Sequence, residues 1–270
     1  VASNISIAGQ VVYLDGGNRF EQGSRLDYLF IDWTVDDIAG WQAQIHLGRY
    51  KNSHWLYSVT RDVPQSRDTA VLPQSVYFDG FRDVALGSNG IQTRFSKYTD
   101  NHVWEVNWSY GRSTINEEQR DYLLGSLALG EIKQDFVHQF SVFWQPASMN
   151  WKLGASWLDS DFEYIPLEQD NRFAGMSNIR RFMISMQYFS ENWELSSELL
   201  REIQDFNGVF TPDYYDKRTG EGGFVQLRYL FSPRFSGLVS YDSYTNNVDD
   251  PNGVQLELES SGTVPSYFGY

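Results

Sequence analysis

The 270-residue chain contains no cysteine. That excludes a disulfide framework, a thiolate nucleophile and any cysteine-ligated metal. Histidine is nearly as scarce: His46, His54, His102 and His138 are the four, and none stands in a His-x-His or His-Glu-x-x-His arrangement. Local zinc motifs are therefore absent. Asp159, Asp161 and Glu163 bring three acids together, but the twelve-residue calcium-loop pattern is missing, so neither a metal nor a cofactor is expected. No G-x-S-x-G elbow occurs, and Ser141 lies on the opposite strand phase from nearby His138. The hydroxyl, base and orienting group of a hydrolase are not assembled, and no enzymatic activity is expected. Long apolar runs are also absent, which excludes ordinary transmembrane helices of about 20 residues but not strands, which cross in about 9 to 11. Nothing at Val1 reads as a charged leader with an apolar core, so any export signal precedes this numbering.

Positive charge is in short supply. Lys plus Arg number 21 against 35 Asp plus Glu, a formal net charge of -14. A chain this acidic is a poor partner for nucleic acid, whereas acids lining a passage would attract small cations.

What the chain has in excess is aromatic side chains, 16% of residues, inside alternating runs. Two architectures use them this way, a membrane barrel with aromatic girdles and a soluble all-β sandwich. The clearest run is Val103 to Gly111, where Trp104, Val106, Trp108 and Tyr110 alternate with Glu105, Asn107 and Ser109. A period of two puts these sets on opposite faces of a strand. Similar runs begin near Asn4, Leu26, Trp41, Gly87, Phe136, Trp151, Ile179, Trp193, Phe224 and Phe235, and VQLELE from Val254 to Glu259 makes about twelve. A short helix or 3₁₀ turn is expected within Tyr122 to Leu129. Links near residues 36, 99, 146, 190 and 232 are short, and those near 16, 51, 112, 159, 205 and 245 are long. Short turns alternating with long loops favour the barrel. The expected fold is all-β, a single antiparallel transmembrane β-barrel domain over residues 1–270, with 51–86 as an inward-folded constriction loop.

Three stretches add a resemblance. HLGRYKNSHWLYSVTRDVPQSR, with its Gly48-Arg49 pair, then LPQSVYFDGFRD and the strand Gly87 to Ser96 resemble porin-like outer-membrane proteins of Gram-negative bacteria. The resemblance implies the outer membrane, short turns in the periplasm, long loops outside, commonly sixteen strands and a homotrimer. It also implies passive diffusion of small hydrophilic solutes or ions past an inward loop. The final PSYFGY reads as the approach to a further strand.

Strand phase gives the candidate sites. Lipid should meet Trp104, Trp108, Trp151, Trp157 and Trp193. The lumen-facing set is Gln42, Gln44, His46, Arg94, Glu105, Asn107, Lys152, Arg181, Gln187, Glu194, Glu198, Glu202, Gln226 and Arg228. The constriction set is Arg49, Lys51, Arg61, Asp62, Arg67, Arg82 and Asp83, either lining the passage or pairing with the wall to hold the loop. Besides lipid and solutes, a protein partner in or beside the barrel is the alternative, with the barrel as its scaffold or envelope.

Overall fold

The computed structural model describes residues 3–14, 23–61, 69, 71–78, 87–125 and 128–259. Eleven strands follow one another: β1 (Ser3–Leu14), β2 (Gly23–Ile38), β3 (Trp41–Lys51), β4 (Gly87–Tyr98), β5 (His102–Arg112), β6 (Glu131–Pro146), β7 (Trp151–Ile165), β8 (Gly175–Phe189), β9 (Trp193–Gly208), β10 (Tyr215–Ser232) and β11 (Phe235–Thr245). Each pairs antiparallel with its sequence neighbours in one eleven-stranded sheet. In such a meander every second strand runs the same way, so β1 and β11, the two edges, point in the same direction. Short connections gather at one end of the sheet, the turn end, and long ones at the other, the loop end.

Eleven strands among the described residues correct the expected twelve to sixteen. The twelfth, VQLELE, is a helix. The described helices are α1 (Glu117–Leu124) and α2 (Val254–Glu259). Alternation in α2 rests on a single β-branched residue, while Leu, Gln and Glu are good helix formers. Asp250 accepts the Leu256 N–H at 2.9 Å and draws the chain into that turn. Helix α1 begins earlier than expected because Asn116 and Gln119 form a reciprocal capping box.

Several strands outrun their hydropathy pattern. Residues 159–178 and 205–222 look like long loops in the sequence, yet β7 continues to Ile165 and β10 begins at Tyr215. The ladder persists where the outward apolar residues stop, at Asp159, Asp161 and Glu163, which still alternate. Hydrogen bonds build the strand, and hydropathy records only the stretch with one apolar side.

Register sorts the side chains into two faces. The outward rows carry Phe140, Leu153, Phe182, Ile184, Leu199, Val225, Leu227, Val239 and Tyr241, all large and exposed. This band has borders. On β7, β8, β9 and β10 a charged outward residue near the loop end, Asp159, Arg180, Arg201 or Glu221, and an aromatic one, Trp151, Tyr188, Trp193 or Tyr229, bound a span of about nine residues. That is the length of a membrane-crossing strand. The inward rows are polar, as in the series Asn107, Ser141 and Ser156, which lie side by side on β5, β6 and β7.

Candidate functional site

All fourteen residues of the lumen-facing set share the inward face. Ladder neighbours show it directly: Gln44 faces Arg94, Arg94 faces Asn107, Arg181 faces Glu202, and Glu194 faces Arg228. Trp104, Trp108, Trp151, Trp157 and Trp193 occupy the opposite face, and none belongs to a buried core cluster. There Trp104 and Trp193 are exposed, the Trp151 ring lies tilted against Tyr188 with centroids 4.6 Å apart, and Trp108 and Trp157 flank His138.

The segment after β3 lies across the inward face. Its first limb, Asn52 to Arg61, turns at Trp55, whose carbonyl accepts the Ser58 hydroxyl at 3.0 Å. Its second limb turns at Pro73, whose carbonyl accepts the Tyr77 N–H at 2.9 Å. Proline supplies the bend, since it cannot continue a ladder. Trp55, Tyr57, Leu72, Val76 and Tyr77 then form a core with Met183, Leu200 and Phe224 of the wall. Tyr57 and Trp55 meet the Tyr77 ring edge-on at 5.6 and 6.1 Å, an arrangement that aromatic quadrupoles favour.

Three fasteners bind the segment to widely separated strands. His54, buried, lies between Ser109 Oγ of β5 at 2.8 Å from Nε2 and Ser141 Oγ of β6 at 3.1 Å from Nδ1. Burial, reinforced by the Arg94 charge, holds its pKa down at about 3, so the ring there is neutral. On β9 the fully buried Glu198 accepts from the Leu56 N–H at 3.0 Å, from Ser185 Oγ at 2.8 Å and from the Tyr77 hydroxyl. One carboxylate thus grips both limbs. Burial and the neighbouring Glu198 push the Tyr77 phenol well above its ordinary range, which keeps it a donor. Finally, Asp242 of β11 accepts the Gln74 and Ser75 N–H groups at 2.7 and 3.2 Å.

The constriction set divides in space. Arg61 is a strut between the limbs, its guanidinium donating to the Tyr77 and Phe78 carbonyls at 2.8 and 2.7 Å. Arg49 and Lys51 are held by β2 instead: Arg49 Nε donates to the Asp27 carbonyl at 3.2 Å, and Lys51 pairs with the Asp27 carboxylate at 2.7 Å. In register Arg49 lies between Leu29 and Asn89, on the phase of Leu47 rather than of His46. Alternation along β3 puts Arg49 and Lys51 on one phase and His46 on the other. Asp62, Arg67, Arg82 and Asp83 lie outside the described residues.

Charges on the inward wall come with partners. Arg94 donates to Asn107 at 3.1 Å, Asn107 to Glu105 at 2.9 Å, and Arg228 reaches Glu194 at 3.4 Å. Arg181 pairs with Glu202 and lies over the Trp55 ring at 5.6 Å. Lys152 sits 4.6 Å from the centre of the Phe143 ring; that ring in turn fills the space beside Gly154, where a Cβ would meet it at 2.3 Å. No group of three or more His, Asp or Glu side chains suited to a metal is assembled among the described residues.

No known family model matches the chain, and no curated protein matches it. Among solved structures it is similar to OmpT, an outer membrane protein of Vibrio cholerae in trimer form, at 9% identity and a TM-score of 0.44, over 91% of this chain and 90% of that one. It is also similar to the Pseudomonas putida toluene transporter TodX, at 10% identity and a TM-score of 0.30, over 90% of this chain and 73% of the other. Overlaps this loose transfer no activity.

Sequence phase missed His54, Tyr77 and Asp242 as fasteners. Of the three, Asp242 carried the clearer signal, since it alternates with the outward Tyr241 on an otherwise regular strand. His54 and Tyr77 stand in the irregular segment, and their partners are 55 to 121 residues away along the chain.

Proposed function

We propose that this chain is an outer-membrane β-barrel channel for passive diffusion of small hydrophilic solutes or ions, its passage narrowed by the segment after β3. One observation carries the reading: a single sheet has an apolar outward face with aromatic and charged borders, while its polar inward face is crossed by a segment pinned to β5, β6, β9 and β11. Apolar rows of this height need lipid, and the inward rows need water and fixed partners. The sheet curls so that one segment reaches wall strands from β5 to β11, and closing it removes two open edges. Because the edges point the same way, closure takes either a parallel seam or a further strand. The short turns face the periplasm, the long loops face outward, and the porin resemblance adds a homotrimer.

The test is planar-bilayer recording with purified, folded protein. Stepwise conductance is expected, and Arg61→Gln should move the reversal potential toward cations because one buried positive charge leaves the narrow region. Folded protein that gives no channels overturns this reading in favour of a scaffold around a protein partner.

A further inference from the structure

On the loop side of the pinned segment the inward face changes character. A chamber of about 610 Å³ lies between that segment, α1 and strands β6 to β11, within the range that holds small molecules. Much of its lining is apolar: Trp55 from the segment, Leu123 and Leu124 from α1, and Leu158, Phe162 and Ile179 from the wall. Water gains little against such surfaces.

Glu163 touches the lining from the outward row of β7, and the charged groups on the inward face are already engaged. Arg181 is paired with Glu202, Arg218 with Asp216, and Arg61 donates to the Tyr77 and Phe78 carbonyls. A charged guest would have to break one of these or keep its own charge buried without compensation, and either is costly. Two other polar atoms point to a different guest. The Ser75 and Ser177 hydroxyl oxygens, both on the chamber lining, are buried without a hydrogen-bond partner. Ser75 as a whole is only 8% exposed. Buried hydroxyls are ordinarily satisfied, and leaving one bare costs stability.

We propose that this chamber binds small uncharged amphipathic molecules, an aromatic or aliphatic body with a hydroxyl or carbonyl group, the body against Leu123, Leu124, Leu158 and Phe162 and the polar group on Ser75 or Ser177. The site rests on the reading of the inward face as open to solutes, and it makes the passage selective for polarity as well as size.

Equilibrium dialysis of the full chain in lipid nanodiscs, with empty nanodiscs as reference, tests it with three probes of one shape: 4-phenylbutan-1-ol, 4-phenylbutyrate and 4-phenylbutylammonium. The alcohol is expected to bind saturably at one per chain and at least about tenfold more tightly than either ion, a preference set by buried-charge cost. Ser75→Ala and Ser177→Ala should together weaken it by about threefold to tenfold, the worth of a neutral hydrogen bond. Leu123→Gln with Leu124→Gln, on α1 and outside the sheet, should weaken it further. No saturable uptake above empty nanodiscs, equal binding of an ion, or unchanged affinity in both sets of variants each overturns the proposal. Conductance separates the two readings. Channels without alcohol binding overturn the chamber alone, whereas alcohol binding without channels supports the chamber and overturns the channel.

Discussion

Strand β8 shows the contrast between the two faces within one stretch of backbone. Outward, Phe182 and Ile184 are 50% and 53% exposed; inward, Met183 and Ser185 are each 1% exposed. In a water-soluble domain the large apolar residues would be the buried ones. Here they are the exposed ones, over rows spanning the whole sheet, and a patch that large marks contact with something apolar. The inward polar residues are buried for a local reason: the segment after β3 lies on them. Two solvents and one covering segment account for the inversion.

The sharpest way to break this contrast is to exchange the faces. Leu199→Arg, in the middle of the outward band, should cost about 2–4 kcal/mol in urea unfolding from lipid vesicles. Gln42→Arg, inward and beside the Asp36 carboxylate that Gln42 now contacts at 2.8 Å, should stay within about 0.5 kcal/mol, as surface changes do. Equal costs would mean that the outward rows do not meet lipid.

A second break concerns the cover. Glu198→Ala removes the acceptor shared by Leu56, Tyr77 and Ser185, and losing hydrogen bonds to a buried charged group costs about 2–3 kcal/mol. Protease cleavage between residues 52 and 78 should accelerate about 30-fold to 150-fold, the equivalent of that energy. An unchanged rate would place the holding force in the aromatic core instead.

His54→Ala should have a smaller effect, about 1–3 kcal/mol, because it takes the imidazole from the buried Ser109 hydroxyl and leaves Ser141 with Asn107. The same residue predicts a pH dependence. Its pKa is about 3 when docked and about 6.5 when released, so the released form takes up a proton first. Above about pH 6.5 the docked segment is at full strength; as pH falls toward 3 it weakens by about 1.4 kcal/mol per unit. Cleavage within the segment should therefore quicken on acidification, and His54→Gln should flatten that profile. The mildest change is Lys152→Gln, inward and over Phe143, which should shift ion selectivity slightly toward cations without altering unfolding.

Much of this was legible in the chain. The runs around Trp104, Trp157 and Tyr188 give strand and face together, because a residue every second position on one solvent is a pattern that backbone geometry imposes. The ends of β7 and β10 were not legible, since there the outward side chains become charged while the ladder continues. VQLELE misled for the converse reason, alternating with only Val254 β-branched and no neighbouring strand among the described residues to hold it extended. The pairing of Glu198 with Leu56 and Tyr77 had no local signature at all.

By itself, then, the sequence determined the all-β class, the alternation of short and long connections and the face on which each strand residue falls, because these follow from nearest-neighbour geometry and from the solvent each side chain needs. Only the tertiary structure decided where the segment after β3 lies, that His54, Glu198 and Asp242 hold it, and that Arg49 and Lys51 belong to β2's surroundings while Arg61 joins the two limbs. Those contacts join residues far apart in the chain, and it is the curl of the sheet, not any local preference, that brings them within bonding distance.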